Sequence, residues 1–235
     1  MVEFIKKYKH GLLISGYFLV YVTLFHYLET RPVHVYHVVH TVFDDMIPFC
    51  EYFIVPYLLW FPYMFLAIVY FIFFNKNKRE YYQLSFNLMM GMTVFLVISY
   101  IYPNIQHLRP LEFESHNIFT YAVGILYKTD TPTNILPSIH VFNSLAIHLA
   151  VSQCESLKDR RGVRISSGIL TALIILSTMF LKQHSVIDVC MGITLALFGH
   201  LLFYPARSAE DTRERSLADY HKQKKQNNYN KYRNH

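Results

Sequence analysis

Six stretches of this 235-residue chain are almost wholly apolar: residues 11–27, 52–74, 84–102, 135–151, 165–181 and 186–204. A helix needs about 20 mostly apolar residues to cross the hydrocarbon of a bilayer, and in lipid every backbone polar group must be satisfied within the segment. Each run is therefore read as a membrane-spanning helix. The first follows Lys6, Lys7 and Lys9, as a signal peptide would, but no small-residue cleavage site comes after it. The chain continues as His26-Tyr27-Leu28-Glu29, which favours a retained anchor. The expected fold class is all-α, a polytopic membrane protein with a six-transmembrane-helix bundle over residues 1–206. A basic cytoplasmic tail, disordered by composition, is expected over 207–235.

Charge is scarce and segregated. Only 16% of residues are charged while 53% are apolar, against roughly 25% charged in soluble domains. Eighteen of the 22 Lys and Arg residues fall in alternate regions: the N-terminus, the Lys76–Arg79 loop, the Lys158–Arg164 loop and the tail. The positive-inside rule then makes both termini cytoplasmic, in keeping with an even number of spans. The net charge of +6 comes mostly from the tail. That tail reads as a solvated segment touching anionic headgroups, not as a nucleic-acid binder. Cys50, Cys154 and Cys190 are far apart and show neither metal-ligand nor disulfide spacing. No metal or cofactor is expected. His34, His37 and His40 recur every three residues and fit an amphipathic interfacial stretch better than a metal site. His148 and His200 read as core or interface residues, and Trp60 as an interfacial anchor.

Polar motifs interrupt the apolar runs at one membrane face only. Leu136-Pro137-Ser138-Ile139-His140 opens the fourth span, and Lys182-Gln183-His184-Ser185-Val186-Ile187-Asp188 opens the sixth. Ionisable residues at such depth are costly and point to function. His184 and Asp188 are four apart, so a shared helical face would let the carboxylate take the Nδ1 proton and leave Nε2 basic. Ser138 lies among the free N–H groups of a helix start, a setting that attracts phosphate. Arg109, leaving the third span, has the geometry to grip a phosphate, and Lys182 lies within the second motif, two residues before His184.

Taken in order, Arg109-Pro110, Pro137-Ser138-x-His140 and His184-x-x-x-Asp188 resemble the three signature blocks of the type 2 phosphatidic acid phosphatase superfamily. The resemblance runs from the third span to the sixth. It implies a phosphohistidine on His184, orientation by Asp188, and proton transfer by His140. Arg109, Ser138 and Lys182 would hold the phosphoryl oxygens, with no metal. Two positions depart from the family pattern: Tyr102 stands where a Lys is usual and Thr178 where an Arg is usual. In this the chain looks more like the inositol-phosphorylceramide and sphingomyelin synthase branch, and a phosphodiester substrate suits the reduced charge. The resemblance further implies an enzyme acting on phospholipid or lipid-phosphate partners from the non-cytoplasmic side of a membrane, a bacterial plasma membrane on this reading. A lipid-phosphate transporter or binding protein without turnover is the competing class. Asp130 and Asn134, in the turn before the Pro-Ser-x-His block, and Asp44, Asp45 and Glu51, before the second span, are candidate headgroup contacts.

Overall fold

The structure is a computed structural model that describes residues 8–204; the readings of Lys6, Lys7 and the 207–235 tail fall outside them. By internal contacts the chain divides into Met1–Phe203 and Tyr204–His235, and among the described residues every helix lies in the first unit. Five helical stretches are long and apolar enough to cross a membrane: Gly11–Thr30, Glu51–Phe74, Lys78–Ile101, Arg161–Phe180 and Val186–Phe203. We label the helices α1 (Gly11–Thr30), α2 (Val42–Met46), α3 (Ile54–Val69), α4 (Lys78–Ile101), α5 (Ile118–Thr129), α6 (Ile139–Gln153), α7 (Arg161–Phe180) and α8 (Val186–Phe203). Among the described residues there are also short helical turns at Glu51–Phe53, Tyr70–Phe74 and Glu155–Leu157, and a two-residue parallel pair, β1 (His37–Val38) beside β2 (Asn104–Ile105).

The fourth apolar run departs from expectation. Residues 135–138 do not join the helix, which is 15 residues long, or about 22 Å at 1.5 Å per residue. The cause is local: the main-chain N–H groups of Ile135 and Leu136 donate to Asn104 Oδ1 at 2.8 and 3.1 Å, and Ser138 caps the helix by accepting from Val141 N at 3.5 Å. Although short, α6 is the hub of the bundle. It packs against α3, α4, α7 and α8, and nine of its 15 residues are buried.

Small residues allow these helices to approach closely, as is usual in lipid, where no hydrophobic force drives helices together and close packing must. A Cβ on Gly91 of α4 would lie 2.0 Å from the Phe142 ring of α6, and one on Gly192 of α8 would lie 2.8 Å from Ser138 O. The outward faces carry large apolar side chains instead: Leu19 is 70% exposed, Phe65 66%, Ile101 70% and Leu201 75%. So broad an apolar exterior would be a liability in water and is the expected surface in lipid.

A segment with no expected structure, between the third and fourth apolar runs, contains the 12-residue α5. Its start is fixed by Asn117, whose side chain accepts from Phe119 N and Thr120 N at 2.8 and 3.0 Å, while Thr120 Oγ1 accepts from Asn117 N at 2.9 Å. This reciprocal cap satisfies the first orphan donors of the helix. Helix α5 packs on α3 and on the helical turn Glu51–Phe53.

Candidate active site at the starts of α6 and α8

The site forms where two helix starts meet. Ser138 N donates to Asp188 O at 3.1 Å, and the absence of a side chain at Gly192 lets Ser138 O come close to α8. This main-chain link brings His140 and His184 together, with ring centroids 5.7 Å apart.

His184 is held by the reversal between α7 and α8. Lys182 takes a left-handed backbone conformation, φ 53°, and both Gln183 N and His184 N donate to Thr178 O, at 2.9 and 3.0 Å. His184 precedes α8 and does not share a helical face with Asp188, as the four-residue spacing had suggested. The two nevertheless meet: His184 Nδ1 lies 3.4 Å from Asp188 Oδ2, a distance short of a strong hydrogen bond but within the loose range of catalytic pairs awaiting a ligand. Asp188 has a second task, since its Oδ2 accepts from Ser185 N at 2.9 Å and so caps α8. With Asp188 fully buried and His184 7% exposed, the ring nitrogen turned away from Asp188, Nε2, is the one free to act.

Two aromatic rings flank His140: Trp60 at 4.4 Å and Tyr57 at 4.7 Å between centroids. Trp60 is thus a wall of the site, a role that its position in an apolar run did not reveal. The Tyr57 hydroxyl donates to Asp130 Oδ2 at 2.8 Å. Both histidines border a cavity of about 1310 Å³ that runs from Tyr8, just before α1, along that helix to Phe25, with α3 and α4 on its other sides. Its wall is apolar along most of that length, with Lys9 at one end and a polar group where α1 ends that includes Asp130, Asn134, His140, Asn143, Gln183 and His184. Among these, Asn143 is 1% exposed and its Oδ1 meets no donor among the described residues.

The residues read from sequence as phosphate ligands are placed differently. Arg109, Ser138 and Lys182 are not in the cavity wall. Arg109 donates through Nη1 to Tyr127 O at 3.1 Å, and through Nη2 to Asp130 O at 2.8 Å and Gln183 Oε1 at 2.5 Å. Its guanidinium also lies 4.6 Å from the centre of the Tyr127 ring. Burial pulls its pKa down, Asp130 opposes that, and it stays a cation. The Lys182 ammonium donates to Asp44 O at 2.7 Å and also to Ile47 O. Burial lowers its pKa as well, against the pull of Asp44 and Asp45.

Among the candidate headgroup residues, Asp44 is 2% exposed. Its carboxylate accepts from Ser185 Oγ, Val186 N and Thr41 N at 2.7, 2.8 and 2.7 Å. Burial would raise its pKa, but these bonds outweigh it and hold the carboxyl below its ordinary value. Asp44 is therefore an anion at the start of α8, where the helix dipole favours one. Asp45 pairs with His40 Nε2 at 2.9 Å. Glu51 Oε1 accepts from Ser115 Oγ and Asn117 Nδ2 at 2.9 and 3.0 Å. Asn134, also left-handed at φ 51°, donates to Glu29 Oε1 at 2.6 Å. Of the five, Asp130 and Asn134 line the cavity. Tyr102, which stands where the resembled family has a Lys, stacks on His37 at 4.1 Å. Comparison with protein-family models, with curated proteins and with solved structures gives no match.

Proposed function

We propose that this protein is an integral membrane lipid phosphatase or phosphotransferase of the type 2 phosphatidic acid phosphatase kind, acting through a phosphohistidine on His184. The observation that carries the reading is the cavity: a long apolar trough ends at His140 and His184, with Asp188 behind the second ring. A lipid with its chains along α1 brings its phosphate to that end. His184 Nε2 attacks phosphorus, the P–O bond to the leaving group breaks, and His140 gives the leaving oxygen its proton. Water or a lipid hydroxyl then attacks the phosphohistidine, His140 takes the proton of that nucleophile, and the P–N bond breaks. Asp188 holds the His184 tautomer and stabilises the cationic ring.

The distribution of Lys and Arg supports six spans with both termini cytoplasmic, α6 joining the five longer helices as the fourth in chain order, and favours a site at the non-cytoplasmic face. The polar end of the cavity carries the carboxylate of Asp130 and no Lys or Arg. That balance favours a phosphodiester, with one negative charge, over a phosphomonoester with nearly two. A second reading, a lipid-phosphate carrier without turnover, draws on the commitment of Arg109 and Lys182 to main-chain carbonyls.

The deciding experiment incubates the protein with radiophosphorus-labelled lipid phosphates and phosphodiester lipids, then quenches in alkali. An acid-labile, alkali-stable phosphoprotein that disappears in His184→Ala is expected. Binding of the same lipids with no such species would support the carrier.

A further inference from the structure

Gln183 precedes His184 and lines the same cavity. Its side chain is 2% exposed, and its Oε1 accepts from Arg109 Nη2 at 2.5 Å. A guanidinium has donors only, so the amide oxygen must be the atom that faces Arg109 and the nitrogen must face elsewhere. That nitrogen, Nε2, carries two hydrogens and meets no acceptor among the described residues. A buried amide with one end clamped and the other unmet is costly unless a ligand accepts from it. The clamp itself is rigid, because Arg109 is held by Tyr127 O and Asp130 O and by the face of the Tyr127 ring.

We infer that Gln183 donates through Nε2 to the phosphoryl oxygens of the substrate, and that Arg109 is a positioning residue that aims and polarises the Gln183 amide without touching substrate. This rests on the lipid-phosphate reading above. As His184 attacks, charge on the non-bridging oxygens is met by a donor already in place, the arrangement that lowers such barriers most effectively. The cation behind the amide draws electron density toward Oε1 and strengthens the Nε2–H donors, as linked hydrogen bonds do. The charge of Arg109 is thereby relayed to a cavity whose polar end has no cation in its wall.

The test separates a substrate donor from a mere partner of Arg109. Gln183→Glu keeps an acceptor for Arg109 and turns the pair into a salt bridge, but presents an oxygen where Nε2 was. A purely structural Gln183 would tolerate it. A donor would not, and we expect turnover to fall about 10²- to 10³-fold, with inhibition by orthovanadate, a phosphoryl mimic, weakened about tenfold or more and the thermal midpoint unchanged or raised. Gln183→Met, which removes the unmet donors and can pack in an apolar wall, is expected to lose turnover to a lesser degree and serves should Gln183→Glu not fold. Arg109→Lys is expected to lower turnover, and its combination with Gln183→Glu to be no worse than Gln183→Glu alone, because the two act as one unit. Turnover and vanadate inhibition within about threefold of the unaltered protein in both Gln183 variants would overturn the inference while leaving the lipid-phosphate reading intact. An unaltered protein that forms no phosphohistidine and turns over no lipid would overturn that reading, and this inference with it.

Discussion

Two buried polar clusters occupy opposite ends of the same bundle, and they differ in how completely they are satisfied. At the starts of α4 and α7, Glu80 is 9% exposed and both its oxygens are engaged. Oε2 accepts from Asn75 Nδ2 at 2.8 Å, and Oε1 from Asn77 Nδ2 at 3.0 Å and Glu155 N at 3.2 Å. That knot ties the loop before α4 to the loop after α6. At the other end, His140 Nδ1, Asn143 Oδ1, Gln183 Nε2 and Asp188 Oδ1 have no hydrogen-bond partner among the described residues, and His184 Nδ1 has only the 3.4 Å approach of Asp188 Oδ2. Native proteins pair nearly all buried polar atoms; other exceptions are scattered, Ser85 and Asn87 on α4 among them, but this group gathers about two histidines at one cavity, where something else can complete it. The Glu80 knot stabilises the fold; the histidine end leaves capacity for a ligand.

The contrast can be broken most directly at Asp188. Asp188→Asn keeps the shape and the bond from Ser185 N but loses the charge that steadies the His184 ring, so turnover is expected to fall on the order of 10⁴-fold, with a thermal midpoint close to that of the unaltered protein. His140→Ala should abolish turnover in the same way. A loss of folding in either variant would show that this end is structural after all. A smaller effect is expected from Gly192→Ala, whose new Cβ would press on Ser138 O. Parting α6 from α8 there should cost about 1–3 kcal/mol in stability and reduce turnover together with it, measured by thermal unfolding and by lipid assay on the same sample. The smallest effect on activity belongs to Glu80→Gln. Losing one acceptor in the satisfied knot should cost about 1–2 kcal/mol and lower the thermal midpoint, with turnover per folded molecule unchanged. A Glu80→Gln protein with normal stability and impaired turnover would erase the distinction between the two ends.

How far the site could be read from sequence depends on the kind of side chain. His140, His184 and Asp188 stood out because titratable groups are rare in apolar runs, and the structure brings the three side by side. Arg109 and Lys182 were visible as basic residues on the basic-poor side, yet their long stems reach several acceptors, and the nearest were main-chain carbonyls. No spacing rule distinguishes a cation that meets a phosphate from one that staples a turn. Asp44 was equally ambiguous, because its partners Ser185 and Val186 are more than 140 positions away. Gln183 gave no signal at all, being uncharged and common. Helix α5 could have been found, since Asn117 and Thr120 three residues apart form a recognisable cap before an apolar stretch, but its 12 residues are too few to register as a span. The fourth run was read too early by four residues because the side chain that claims its first N–H groups, Asn104, lies outside it.

The commitment of Arg109 and Lys182 to main-chain oxygens has a consequence for how a ligand would be captured. Surface cations draw anions from a distance, and dissolved salt weakens that pull beyond about 10 Å at 0.1 M. Here the fixed cations sit behind the cavity wall and face the protein's own carbonyls, so little of their field is offered to the medium. A ligand would be recognised at contact, by chain length and by the direction of a few donors, and its capture would change little as ionic strength rises.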